Sequence, residues 1–172
     1  IDKTSGDLLF ATDINPDKFF AFGNRLFTIQ DGGVTVYALN DEHTALTKTQ
    51  TITMSGNDLR HLSNPTDVTR FQNETVVADS GNNRIAFISP SGVMTALQLD
   101  ETPLALCSGD SVYAVTKSKI LQIKDKTITS TIDVEDVVDV TYLSSLYILK
   151  KDGVYVNLAG NAVKIFDVDN AK

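Results

Sequence analysis

Hydrophobic and polar residues alternate along most of this chain in short runs. "RLFTI", "VTVYAL", "TVVA", "RIAFI", "SVYAV", "ILQI", "SLYIL" and "VYVNL" are rich in β-branched and aromatic residues. Each run is broken within a few positions by Gly, Asn, Asp or Lys, the punctuation expected between short strands. No window carries the spacing of an amphipathic helix. The one candidate for a helical turn is "GNDLRHLSNP", which ends at Pro65. The pattern predicts an all-β chain.

The runs also repeat. "NPDKFFAFGNRLFTIQDGGVTVYAL" from Asn15 can be laid over "NPTDVTRFQNETVVADSGNNRIAFI" from Asn64. Both have Asn-Pro, a strand ending at Phe22 or Phe71, a polar turn, a second strand, a Gly-bearing turn and a third strand. "TPLALCSGDSVYAVTKSKILQI" from Thr102 and "DVVDVTYLSSLYILKKDGVYVNL" from Asp136 share the layout. A fourth, more polar strand closes each unit: "ALTKTQTIT", "VMTALQL", "TITSTIDV" and "AVKIFDV". The second strands end near Ile29, Ala78, Val115 and Leu149, which stand 49, 37 and 34 residues apart. Four antiparallel strands with a period near 40 describe the blade of a β-propeller. Inner strands packed between blades must be apolar, whereas the outermost meets water.

Blade boundaries follow: 15–63 with a long loop insertion, 64–100, 101–134 and 135–172. Residues 1–14 read as the outer strand of a preceding blade, because "KTSGDLLFATDINP" resembles "SPSGVMTALQLDETP". Both ends of the chain then supply an outer strand, so neither completes the other. The expected architecture is four four-stranded blades plus an extra N-terminal outer strand, within a larger ring of about six blades. The remainder would come from elsewhere in the native protein or from another chain. The alternative is a compact four-bladed ring whose first strand caps an edge; it leaves blade faces less well satisfied.

Within the second blade, Val76, Val77, Asp79, Gly81, Asn83, Arg84 and Ile85 form an apolar pair, an Asp, a small turn, an Asn-Arg pair and an apolar strand. This stretch resembles an NHL repeat over residues 64–92, and the other blades keep only the strand–turn–strand outline. The resemblance implies a propeller. Gly81 and the Asn pair suit a tight turn with positive φ, Asp79 can accept from turn backbone, and Arg84 can pair with an acidic group.

The chain has 172 residues, enough for one sizeable core. Its net charge of −7 argues against nucleic acid or anionic membrane as the main partner. No apolar run approaches the length of a membrane span. The chain opens with Ile rather than Met, as a processed or longer protein would. One cysteine, Cys107, closes no internal disulfide and sits in an apolar run as a buried hydrophobe would.

In a propeller, the loops leading into the innermost strands and the turns between second and third strands share one face. Here the loops would supply Asn15, Asp17, Asn64, Asp67, Glu101 and Asp136. The turns would add Asp31, Asp79, Asn82, Asn83, Lys117, Lys119, Lys150, Lys151 and Asp152. Acidic and amide groups fall on the first two blades and lysines on the last two, a two-sided face able to orient a protein partner. The insertion "MSGNDLRHLS" reaches the same face. The expected partner contacts are Arg60, His61, Asp79, Asn82, Asn83, Lys117, Lys119, Lys150 and Lys151. The partner would be a protein, including the rest of the propeller from the same or another chain.

Catalytic signatures are sparse. His43 and His61 lie on different loops without metal-ligand spacing, and "SGDS" at 108–111 reads as a hairpin turn. The expected function is therefore a non-catalytic interaction or assembly module without a cofactor. The alternative is a calcium-dependent propeller hydrolase or lyase, with Asn15, Asn64, Glu101 and Asp136 as oxygen ligands at the central channel. Single-stranded RNA binding would rest on the lysines alone. Asn73 heads an Asn-Glu-Thr sequon in an expected hairpin turn, consistent with an extracellular or lumenal setting.

Overall fold

The computed structural model describes residues 14–30, 33–42, 44–52, 61–158 and 160–167. The expected N-terminal outer strand, the helical-turn candidate up to Arg60, Asp31 and His43 lie outside the described residues. Everything described is strand or turn apart from one 3₁₀ turn at Ser80–Asn82.

Four antiparallel sheets of four strands follow one another along the chain. The first contains β1 (Lys18–Phe22), β2 (Arg25–Gln30), β3 (Gly33–Leu39) and β4 (Leu46–Ile52). The second contains β5 (Pro65–Phe71), β6 (Glu74–Asp79), β7 (Arg84–Ile88) and β8 (Met94–Gln98). The third runs through β9 (Ala105–Ser108), β10 (Val112–Val115), β11 (Lys119–Lys124) and β12 (Thr127–Asp133). The fourth runs through β13 (Val137–Tyr142), β14 (Leu146–Lys150), β15 (Gly153–Leu158) and β16 (Asn161–Asp167). In every sheet the strands pair in chain order. These are the blades of a propeller.

The apolar alternation explains how the blades stack. Directly paired residues share a sheet face, so Phe27, Ile29, Val34 and Val36 form one patch on the first blade. It packs on Val68, Val77, Ala86 and Ile88 of the second blade. The opposite face of that blade, with Val76, Ala78, Ile85 and Phe87, packs on Leu106, Val112, Ala114, Leu121 and Ile123 of the third. Ala105, Tyr113, Val115 and Ile120 then meet Val140, Leu146 and Ile148 of the fourth. The outer strands face water along most of their length, as in β12 and β16.

The innermost strands β1, β5, β9 and β13 stand side by side around a channel. A cavity of about 230 Å³ there is lined from all four, including by Lys18, Asp67, Cys107 and Asp139. Asp67 was expected in a loop. It lies instead within β5, behind a β-bulge at Thr66, and is 8% exposed. Cys107 is buried, and that burial pushes its thiol up to about 12, so it remains protonated at neutral pH.

Close approach requires glycine at positions that include 81 and 109. A Cβ on Gly109 would overlap the Tyr142 ring, which stacks on Tyr113 with centroids 5.6 Å apart. A Cβ on Gly81 would run into Ser63, whose carbonyl accepts the Gly81 N–H at 2.8 Å. The left-handed residue of that turn is Asn83, with φ of 49°, rather than Gly81.

Candidate functional site

The turn between β6 and β7 is built around a buried ion pair. Asp79 Oδ2 accepts from Arg84 Nε at 2.6 Å and from Asn82 Nδ2 at 2.9 Å. Its Oδ1 accepts the Ser63 N–H at 2.6 Å, and Arg84 Nη2 donates to the His61 carbonyl. The Asp79 side chain is fully buried and that of Arg84 is 5% exposed. Arg84 therefore pairs within its own blade. Asp79, expected at a partner-facing surface, is buried: its oxygens fasten the turn to the segment carrying His61 and Ser63.

Asn83 carries the same turn toward the third blade. Its Oδ1 accepts from Thr102 Oγ1 at 2.7 Å, and its carbonyl accepts the Leu99 N–H. Here the loops of three blades meet in a cleft of about 800 Å³. Asn83, Lys117 and Ser118 enter from turns between second and third strands. Asp100, Glu101, Leu104, Glu135 and Asp136 enter from loops leading into β9 and β13. Loop tips expected on one face are thus brought together for Asn83, Glu101, Lys117 and Asp136. Asn15, Asn64, Asn82, Lys150 and Lys151 are not among the cleft's lining residues, and Arg60 lies outside the described residues.

The charge pattern departs from the expected two-sided face. Lys119 Nζ sits 3.3 Å from Glu101 Oε1, and Lys117 shares the cleft with Asp100, Glu101, Glu135 and Asp136. Lys150 lies over the Tyr155 ring at 5.3 Å. Two of the four lysines are therefore set among carboxylates. The two lysines on which a single-stranded RNA site would rest in the third blade, Lys117 and Lys119, thus share their surroundings with carboxylates.

Glu101 is the most constrained group in the cleft. Its Oε1 accepts from Ser118 Oγ at 2.7 Å and its Oε2 from the Ser118 N–H at 3.3 Å. Hydrogen bonds from Ser118 and Thr116, helped by Lys119, lower its pKa from the ordinary 4.5 to about 2. A lowered carboxylate stabilises the fold above its unfolded-state pKa, and that contribution fades as pH falls toward about 2. Wild type should therefore lose more of its urea midpoint than Glu101→Gln on going from about pH 5 to about pH 3. Equal losses in the two proteins would show that the Ser118 and Lys119 contacts do not hold Glu101 in solution.

Of the alternative calcium ligands, Glu101 and Asp136 line this cleft, whereas Asn15 and Asn64 do not. Among the described residues no three His, Cys, Asp or Glu side chains converge as a metal site.

A second constellation, in the channel, escaped the sequence reading. Asp67 Oδ1 accepts the Val68 N–H and Oδ2 accepts the Leu106 N–H of the next blade, both at 2.8 Å. Burial pushes the Asp67 carboxyl up, opposed by those two N–H groups and the Lys18 charge. Asp139 has the same place in the fourth blade, behind a bulge at Val138, and accepts the Val140 N–H at 2.9 Å. The signal was available: Asp-Val-Thr occurs at 67–69 and again at 139–141, at equivalent points of two repeats.

No protein-family model matches the chain, and no curated protein does. Solved structures do. Virginiamycin B lyase from Staphylococcus aureus, an inactive variant with quinupristin, superposes with a TM-score of 0.66 at 10% identity over 88% of this chain and 55% of that one. BBS1N in complex with ARL6DN gives 0.63 at 15% identity over 84% and 47%. A putative exported protein of Bacteroides fragilis gives 0.64 at 8% identity over 92% and 53%. At such identities the likeness establishes the propeller fold alone. The chain spans about half the length of these structures. Among the described residues no helix is long and apolar enough to cross a membrane.

Proposed function

We propose that the chain is a non-catalytic propeller module that binds a protein partner through its loop face, at the cleft between the second, third and fourth blades. The observation that carries this reading is the make-up of the cleft. Four carboxylates, from Asp100, Glu101, Glu135 and Asp136, surround Leu104, which is 45% exposed. An apolar centre inside a charged rim is the anatomy of a protein contact. The rim's sign selects a segment carrying Lys or Arg on either side of an aliphatic side chain. The NHL-like turn of the second blade serves this surface indirectly, since Asp79 and Arg84 hold the backbone from which Asn83 projects.

The test is a fluorescence titration of the 172-residue chain with a panel of such basic peptides. Saturable binding should weaken about tenfold in an Asp100→Lys, Asp136→Lys double variant and fall with added salt. Absence of saturable binding across the panel, or affinity indifferent to both changes, overturns the reading.

The second reading is the calcium-dependent hydrolase or lyase, favoured by Glu101 and Asp136 sharing one cleft. It requires Glu101 to leave Ser118 and Lys119. Calorimetric titration with calcium separates the two, because saturable uptake lost in Asp136→Ala is expected only of the metal enzyme.

A further inference from the structure

Among the described residues three blade-to-blade interfaces are filled, and one face of the first blade and one face of the fourth are left over. On each of the first three blades, the face carrying the end of the second strand packs on the blade that follows. Pairing register assigns the same face of the fourth blade to Tyr147, Leu149, Val154, Val156, Val163 and Phe166. Among these, Leu149 is 38%, Val163 44% and Phe166 65% exposed. On the second blade Ala78, the equivalent of Leu149, is fully buried, whereas Thr95 and Leu97, the outer-strand equivalents of Val163 and Phe166, are exposed and half-buried.

Asp139 marks the same edge. Its Oδ1 repeats the Asp67 bond to the following N–H, but among the described residues its Oδ2 accepts nothing. In the second blade that second oxygen takes the Leu106 N–H of the next innermost strand. The matching donor is at the other end of the chain. Asp17 N–H donates to the Ile29 carbonyl just as Leu104 N–H donates to that of Val115, so Phe19 corresponds to Leu106. The Phe19 N–H accordingly points away from β2, and no side chain among the described residues accepts it. Phe19 itself is 68% exposed. Lys18 beside it supplies positive charge where Asp139 supplies negative.

We propose that these two edges are halves of one interface, closed between two copies of this chain. Asp139 of each copy takes the Phe19 N–H of the other, and the Leu149 face covers the Phe19 side chain. Ala78 and Leu106, the residues equivalent to Leu149 and Phe19, share one buried core in the interface already formed. The edges complement each other in hydrogen bonding, charge and apolar surface. The product has eight blades rather than the six expected from sequence. Its residues are separate from those of the loop-face cleft, so the two proposals fail independently.

Sedimentation equilibrium of the 172-residue chain at about 100 µM should give twice the 18.7 kDa chain mass. Asp139→Ala should weaken the dimer about tenfold or more, and Leu149→Lys should abolish it. Phe19→Glu should abolish it as well. Mixing Leu149→Lys with Phe19→Glu should restore a heterodimer, since one interface then pairs Lys with Glu and the other is wild type. That rescue distinguishes a lost contact from a misfolded variant. A wild-type monomer, a dimer indifferent to all three substitutions, an open-ended series of larger species, or no rescue on mixing would each overturn the proposal.

Discussion

Replacing Arg84 with Met is expected to lower the unfolding free energy by about 3–5 kcal/mol, the usual cost of stranding one member of a buried ion pair. The reasoning rests on what Asp79 would retain. Its carboxylate is fully buried and keeps only the Ser63 N–H and the Asn82 amide, both uncharged donors. The His61 carbonyl loses the Arg84 donor at the same time. Urea denaturation followed by circular dichroism checks the figure. Arg84→Lys should recover less than half of the loss, because an ammonium cannot present the planar fork that spans Asp79 and His61. Adding Asp79→Asn to Arg84→Met should recover part of it, since the stranded charge disappears. A loss below about 1 kcal/mol for Arg84→Met would mean that the turn does not depend on the pair.

Asp67→Ala is expected to cost roughly 3 kcal/mol, because two N–H groups, from Val68 and Leu106, lose their acceptor at once. One of these bonds crosses between blades, so the loss should also loosen the contact of β5 with β9. Amide exchange of Leu106 should quicken more than that of Val115, whose strand partners are unchanged. Asp67→Asn keeps one acceptor oxygen and should cost less. The pH dependence has a definite sign. Burial raises the folded-state pKa of Asp67, so its ionised form is penalised in the native state. That penalty is present above the folded-state pKa and is relieved as pH falls through it. The stability gap between wild type and Asp67→Asn should shift in favour of wild type over that window.

Period-two runs and their recurrence were enough to read the propeller from sequence, since blade stacking demands apolar inner strands and tolerates polar outer ones. Strand ends at Phe22 and Phe71 and the exposure of the fourth strands follow from the same demand. The clustering of Asn83, Glu101, Lys117 and Asp136 was legible for a related reason: loop positions in a repeat inherit a common face. Charge on that face was not legible. Lys119 looked basic in the sequence, but its effect is set by Glu101, 18 positions earlier and one loop away. Asp79 looked like a surface turn residue because its burial depends on the Ser63 segment folding over it. Gly81 was assigned a backbone role, yet Ser63 excludes a side chain there, and contacts distant in sequence leave no local trace. The Asp-Val-Thr pair shows the converse, since comparing repeats position by position would have picked out Asp67 and Asp139.

The rim strands carry a consequence for handling the protein. Lys48 and Gln50 on β4, Gln98 on β8 and Thr129 to Thr131 on β12 make those margins poor templates for added strands. The margin of β16 is different, because Ile165 and Phe166 stand 54% and 65% bare within "AVKIFDV". Lys164 interrupts that run, tied to Asp152 at 3.2 Å and Asp167 at 2.6 Å. Lys164 is thus the one charge set inside this bare apolar run, and replacing it with an uncharged residue would remove the gatekeeper of that margin.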